Sequence, residues 1–491
     1  MQSNIKTIAA LLLIIAGSSC KKDFINLAPI SNQTSATFFQ TAADFQQGVN
    51  AVYDALQSQQ AYGKTFYYLM EVRSDNTDIG DRGANAGVAS QIDLFTEATT
   101  NPFVTDGFAG SYVIISRANA VLDRIDAAAI DEASKKQFKG EALFLRALSY
   151  FNLVRLYGRV PLVVKTESPT ESLNDKRNAI AEVYAQIETD LKQAATLLPL
   201  TYTTSTDAGR ATAGSANTLL GKVYVTEKKW SEAATVLKTV LPNYSLLPNY
   251  ADLFRADNPV SAEIIFTVRF RKGLSPTEGN TFFSDMMPMI YINGTTYSGA
   301  TNNRPTVDMA KAYEPTDKRF AASMDTIYYR NATTLANGRY VKKYFDLPAT
   351  TGDQGNSFPV LRYADALLLL AESLNEQAYS ASTADGSALF YLNRVRTRAG
   401  VPAYTATDLP TQDAVREALF RERRVELAFE NDRWFDIIRY SKGLQAMQAH
   451  LQKEYGLATP VLTANRLLFP IPQREVEVHN DPVNFPQNPG Y

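Results

Sequence analysis

The chain has 491 residues, 45% of them hydrophobic and 20% charged, the make-up of a soluble globular protein with ample material for a large core. Formal charge is −2, and −3 without residues 1–19, whose one charge is Lys6, so no broad basic field exists for nucleic acid. A lone cysteine, Cys20, excludes an intrachain disulfide, and two distant histidines, His450 and His479, exclude a histidine cluster for zinc and offer poor material for a Ser-His-Asp triad.

The N-terminus runs from a short polar start through apolar residues Ile8 to Ala16 and then Gly17-Ser18-Ser19 before Cys20. That run falls well short of the ~20 residues that cross a bilayer and has the layout of a secretory signal with small residues at its cleavage site. A cysteine in that place resembles a bacterial lipobox, in which it is lipidated and becomes the first residue; Gly17 stands where a leucine is usual. The alternative is an ordinary signal peptide with an incidental cysteine. Cys20-Lys21-Lys22-Asp23-Phe24 and the Ser-, Thr- and Asn-rich stretch from Pro29 to Thr37 read as a tether.

Helical spacing begins at Phe38-Phe39 and Phe45 and continues with Val49, Val52, Tyr53 and Leu56. Residues 74–108 break it: Ser74 to Gly83 is turn chemistry, and a loop of this length is functional or disordered. The pattern resumes with Tyr112, Ile115, Asn119, Leu122 and Ile125. Lys135 to Tyr157 is apolar nearly all round, as in a helix buried among helices, and Gly158 stops it. Ile180, Val183, Tyr184 and Ile187 predict a further helix. Ala216 to Tyr224 and Trp230 to Leu237 then form a hairpin that resembles a tetratricopeptide unit, with no strict repeat period. Residues 241–360 change character, with Pro242, Pro248 and Pro259, strand alternation over Glu263 to Phe270, a Gly-, Asn-, Thr- and Tyr-rich stretch at 273–306, and a strand candidate at Arg339 to Tyr344. Helices return over Tyr363–Asn375, Ala388–Arg398 and Gln412–Tyr440 before a Pro-rich tail. The body is mainly helical.

Residues 421–440 set acids and arginines beside Val425, Phe429, Trp434 and Phe435. Large apolar groups among so many charges predict a helix and turn docked on a core through guanidinium–carboxylate pairs, with Arg433, Trp434 and Asp436 as a structural motif. Other motifs fail on spacing. Gly63-Lys64-Thr65 imitates the end of a P-loop, but Ser58 stands where its first glycine belongs. Ile79 interrupts the oxygen ligands that an EF-hand would need over Asp75–Asp81; a looser calcium site there is an open alternative to the expectation of no metal and no cofactor. There is no His-Glu-x-x-His and no Gly-x-Ser-x-Gly, and nothing selects a carboxylate pair for glycoside cleavage.

Several segments together resemble one family. They are Cys20-Lys21-Lys22-Asp23-Phe24, Glu71-Val72-Arg73-Ser74-Asp75-Asn76, Gly140 to Ala147, Tyr150 to Gly158 with Pro161-Leu162, Gly209-Arg210-Ala211-Thr212, Arg362-Tyr363-Ala364-Asp365, Leu392 to Arg396, Arg423 to Glu430, Arg433-Trp434-Phe435-Asp436, and Phe469-Pro470-Ile471-Pro472. In this order they resemble the SusD/RagB family of starch- and nutrient-binding outer-membrane lipoproteins. The resemblance implies a mainly α fold of degenerate tetratricopeptide-like hairpins with an irregular, loop-rich ligand-binding subdomain and few short strands. It implies a protein that is not an enzyme, anchored through lipidated Cys20 at the cell surface of a Bacteroidetes-type bacterium. There it would bind oligosaccharides as the lid of a SusC-like TonB-dependent outer-membrane transporter. The expected divisions are a signal peptide (1–19), a lipidated tether (20–37), an N-terminal helical part (38–272), a loop- and strand-rich insertion (273–359) and a C-terminal helical part with its tail (360–491), in one body.

The ligand residues are expected from loop position and not from the resemblance: Asp75, Asn76 and Arg82 in the first loop, Tyr291 and Tyr297 in the second. Sugars stack on aromatic faces while planar polar groups take their hydroxyls. Trp230 and Trp434 both lie in helical segments, so a platform falls to Tyr or Phe. Two alternatives stand: an oligopeptide-binding lid of the same architecture, and a secreted hydrolase.

Overall fold

Thr41 opens the first helix through a reciprocal cap. Its hydroxyl accepts from the Asp44 amide, and the Asp44 carboxylate accepts from the Thr41 amide at 2.7 Å, fixing α1 at Ala42–Gln57. This computed structural model describes residues 38–83, 87–202, 207–348, 350–457 and 462–491; Cys20, the expected signal peptide and the tether lie outside them.

The next helix, α2 (Pro102–Ile125), starts inside the stretch expected to be loop. Asn101 caps it by accepting from the Phe103 amide at 3.0 Å, and Pro102 takes the first helical position. Glycines there, which read as loop chemistry, serve packing: a Cβ on Gly110 would stand 2.6 Å from the Gln60 carbonyl oxygen. A short helix at Val88–Asp93 also lies within the expected loop.

Then follow α3 (Glu132–Tyr157), ended by Gly158 at φ +74°, α4 (Ile180–Leu197), α5 (Ala213–Thr226) and α6 (Trp230–Val240). After a long excursion come α7 (Tyr363–Gln377), α8 (Ala388–Ala399) and α9 (Gln412–Glu426). Each of α2 to α8 packs on the helix before it, and α9 packs on α7 and α8, so successive hairpins stack into one layer with a continuous core. The fold is mainly α, with few short strands.

The excursion between α6 and α7 holds β1 (Ile264–Val268), β2 (Ile290–Ile292), β3 (Thr295–Tyr297), β4 (Met324–Tyr329), β5 (Leu335–Val341) and β6 (Phe358–Arg362). The strands pair antiparallel as β1–β6, β2–β3 and β4–β5. The strand expected from Arg339 to Tyr344 begins earlier, at Leu335, and ends at Val341. The insertion expected at 273–359 carries a small core of Phe283, Met287, Ile290 and Tyr340, but its Phe282, Met286, Met309, Met324 and Tyr344 join the main core. It is fused to the helices.

The helical pattern over Gln412–Tyr440 resolves into α9 and α10 (Arg433–Arg439). The turn between them carries Phe429 at φ +66° and Asn431 at φ +67°, left-handed conformations that side chains disfavour unless their surroundings enforce them. After α10, α11 (Gly443–Tyr455) leads towards the tail.

Candidate functional site

What enforces that turn is a buried carboxylate. Glu71 is fully buried; one oxygen accepts from the Phe429 amide (3.1 Å) and the Asn76 amide group (3.0 Å), the other from the Asn431 amide (3.0 Å). Burial pushes its pKa up to about 7, against the pull of these donors. Around it runs a network of buried ion pairs. Glu426 meets Arg319 (2.8 Å), Arg362 (2.5 Å) and Arg398, while Glu430 meets Lys343 (2.7 Å) and Arg362 (2.6 Å). Arg423 joins Asp365 (2.6 Å) to Asp436 (2.8 Å). Trp434 is wholly buried against Phe95, with ring centroids 5.6 Å apart, beside the Arg73 guanidinium that pairs with Glu97 at 2.7 Å. The acids of residues 421–440 thus all face cations, guanidinium groups for the most part and the Lys222 ammonium at Asp432 (2.5 Å).

This clasp reaches into both loops. Arg433 grips the Asp75 carboxylate with two bonds, 2.7 and 2.9 Å. Burial opposes ionisation of Asp75, but the Arg424 and Arg433 guanidiniums outweigh it and hold its carboxyl well below the usual range. Arg424 donates to the Asn76 side-chain oxygen (2.9 Å) and the Asp75 carbonyl (3.0 Å). From the second loop, Thr306 donates its hydroxyl to the Asp75 carbonyl (3.0 Å) and its amide to the Asn76 carbonyl (2.9 Å). Asp75 and Asn76, expected to meet ligand, are therefore buried and committed to the frame. The signal that marks them is their fit to the clasp arginines, which sequence spacing does not display.

Beyond them the loops run side by side. Thr77-Asp78 pairs antiparallel with Arg304-Pro305, and Arg304 clamps Asp78 with bonds of 2.7 and 3.0 Å. The Gly80 amide donates to the Thr301 carbonyl at 3.3 Å. With Asp75 and Asp78 turned to guanidiniums, the carboxylates of Asp75–Asp81 do not converge, and no group of three potential metal ligands forms among the described residues. Arg82 is exposed, its guanidinium 4.3 Å from the ring centre of Tyr455. The Tyr455 hydroxyl in turn lies 2.9 and 2.8 Å from the two oxygens of Asp93. Burial pushes Asp93 up to about 7, against the Tyr455 bond.

The two candidate tyrosines sit on opposite faces of the β2–β3 hairpin, which turns at Asn293-Gly294. Tyr297 lies opposite Ile290 and packs on Phe283 at 5.7 Å, on the side of the small core. It is half-buried there and acts as packing. Tyr291 alternates to the other side, opposite exposed Thr296, and is half-buried. Of the five expected ligand residues the structure leaves Arg82 and Tyr291 facing outward. Sequence reasoning missed Arg304 and Tyr455, which lie far from the loop tip in the chain and reach it only through strand pairing and α11. It also missed Ile327, Tyr329 and Leu335 on the β4–β5 hairpin, about half exposed.

Comparison with known proteins places this architecture. Residues 23–225 match a family model described as starch-binding and associating with the outer membrane, and residues 293–491 match that of the SusD family. A SusD-like protein, P2, of Formosa agariphila is 28% identical over 99% of both chains. A laminarin-binding SusD-like protein of known structure superposes with a TM-score of 0.77 at 27% identity, covering 92% of this chain and 100% of its own. A SusD homologue from Bacteroides thetaiotaomicron superposes at 0.80 with 25% identity, over 93% and 98%. Matched in both halves and aligned along its length, the chain belongs to the SusD/RagB family.

Proposed function

We propose that this protein binds oligosaccharides at the cell surface and passes them, as a lid, to a SusC-like TonB-dependent outer-membrane transporter. Family membership makes it a non-catalytic binding protein rather than an enzyme. The observation that carries the ligand class is the laminarin-binding relative together with the joined loops, which present Arg82, Arg304 and Tyr455 as planar donors and aromatic surface, with outward Tyr291 on the neighbouring hairpin. A pyranose ring stacks its C–H face on an aromatic ring and gives its hydroxyls to such donors. Attachment is proposed through lipidated Cys20. Among the described residues no helix is long and apolar enough to cross a membrane, and the matched family model associates with the outer membrane.

Calorimetry of the purified protein against neutral glycan fragments tests the reading. Binding of at least one glycan, weakened ~10-fold or more by Arg82→Ala with Tyr291→Ala, is the expected result. A loss of ~10-fold corresponds to about 1.4 kcal/mol, the scale of one stacking or charge-assisted contact. Binding confined to oligopeptides would replace the sugar reading with the peptide one, and full glycan binding by the double variant would remove the loop face.

A further inference from the structure

The two tryptophans have different fates. Trp434 is wholly buried, whereas Trp230, at the start of α6, is half-buried and lines a recess of about 350 Å³ between the α5–α6 turn, α7, α9 and the end of α10. The recess lies in the helical stack, away from the joined loops, and borders the end of the clasp, where Arg439 also pairs with Asp436 at 2.8 Å. Its remaining walls are polar. Glu376 holds Arg416 at 2.7 and 2.9 Å, and Glu372 holds Arg439 through one carboxylate oxygen. Side-chain exposure of Glu372 is 4%, and its other oxygen, Oε2, is buried with no hydrogen-bond partner among the described residues. The buried hydroxyl of Tyr440, on the same wall, also meets none.

We propose that this recess is a second carbohydrate site, taking one or two pyranose units of a neutral glycan with a ring stacked on Trp230. Its chemistry argues this independently of the loop face. An unpartnered carboxylate oxygen wants a donor and a phenol wants an acceptor; a single sugar hydroxyl is both. Leaving such groups buried and unmatched is costly, so the wall is prepared for a ligand or water that supplies those bonds. Each carboxylate is already paired with a guanidinium, so a neutral polyol gains bonds to both partners of each pair; the exposed Lys228 at the rim is the one lining cation with no ion pair among the described residues, which is why a uronate oligomer is the charged comparison. A volume near 350 Å³ lies at the lower end for small-molecule sites, and one aromatic wall with fixed planar polar groups is the arrangement that holds a sugar ring.

Burial of Trp434 makes intrinsic fluorescence a reporter of the recess. The purified full chain is titrated with fragments of laminarin, starch, mannan, xylan and galactan, and with a uronate oligomer and an oligopeptide as charged comparisons. The expected result is a saturable change in tryptophan emission with a neutral fragment, absent in Trp230→Phe, unchanged by Tyr291→Ala, and weakened ~5-fold by Tyr440→Phe, which removes only the hydroxyl. Flat emission across the neutral panel overturns the proposal, as does a change that Tyr291→Ala abolishes or that Tyr440→Phe leaves at full affinity. A response to the charged oligomers alone also overturns it. If calorimetry shows no loop-face binding while the Trp230 response persists, the recess stands and the loop reading falls.

Discussion

Replacing Glu426 by glutamine removes one charge from the centre of the clasp without changing its volume. The side chain is fully buried; one oxygen accepts from Arg362 at 2.5 Å and from Arg398, the other from Arg319 at 2.8 Å. Glutamine keeps one acceptor and turns an N–H₂ towards a guanidinium, so three buried cations lose their shared counter-charge. Leaving a buried charge without its partner costs about 3–5 kcal/mol, and because Arg319 keeps Asp317 and Glu422, Arg362 keeps Glu430 and Glu263, and Arg398 keeps Glu263, the loss sits towards the low end of that range. Unfolding entropy of about 2 cal/mol/K per residue gives a chain of this size about 1 kcal/mol per kelvin, so Glu426→Gln should lower Tm by ~3–5 °C. Burial alone opposes ionisation, but Arg398, Arg362 and Arg319 overcome it and hold the Glu426 carboxyl well below its ordinary range. A depressed pKa contributes stability that is present above the unfolded value of 4.5 and lost as pH falls below it. The gap between wild type and variant should therefore be full at pH 7 and narrow below about pH 4. Calorimetric or fluorescence melts over that range measure it, with Asp257→Asn, in an exposed pair with Arg255, as a control expected to leave Tm unchanged. A Glu426→Gln melt within ~1 °C of wild type at pH 7, or a gap that does not change with acid, would refute the account of the clasp.

Three other outcomes follow from the same geometry. Trp434→Ala should cost about 3–5 kcal/mol in denaturant unfolding and leave ligand preference unaltered; a change of preference without lost stability would contradict a packing role. Asp93 has a folded pKa of about 7 against 3.8 unfolded, so the folded state binds the extra proton between those values and stability falls as pH rises from about 4 to 7. Asp93→Asn should flatten that slope and raise stability at pH 8, by up to roughly 4 kcal/mol; an unchanged slope would show that Asp93 titrates normally. Cys20→Ala should release the protein from the membrane fraction, since acylation at that residue supplies the proposed anchor; retention in a detergent-free membrane pellet would exclude it.

The helices were legible because apolar spacing and capping both point to them. Lys135–Tyr157 is all but α3, and Ala216 with Trp230 mark α5 and α6. Where small residues carry the contact, legibility fails: Gly107, Gly110 and Ser111 look like loop, yet their lack of bulk lets α2 lie against its neighbours. The clasp was visible as charges beside Trp434, but not its reach, because the partners Asp75, Arg319 and Arg362 are remote in the chain. That reach also explains the two misplaced ligand residues. Asp75 and Asn76 have the composition of a binding loop, and only the positions of Arg424 and Arg433 reveal that their polar atoms are already used. Tyr291 and Tyr297 differ by register alone, which the Asn293-Gly294 turn sets.

The way the two loops are joined separates stability from recognition. The bonds that hold them involve the backbone of Asp75, Asn76, Gly80, Thr301 and Thr306 and the inward carboxylates of Asp75 and Asp78. Arg82 is exposed beyond those bonds in the first loop, and on the neighbouring hairpin Tyr291 is half-buried opposite exposed Thr296. Buried, charge-assisted bonds carry the larger energies, while exposed side chains contribute little to folding. Substitutions at Arg82 and Tyr291 can therefore alter which sugar is held while the fold keeps its stability. Substitutions at the inward positions would loosen both loops together and lose binding of every ligand at once.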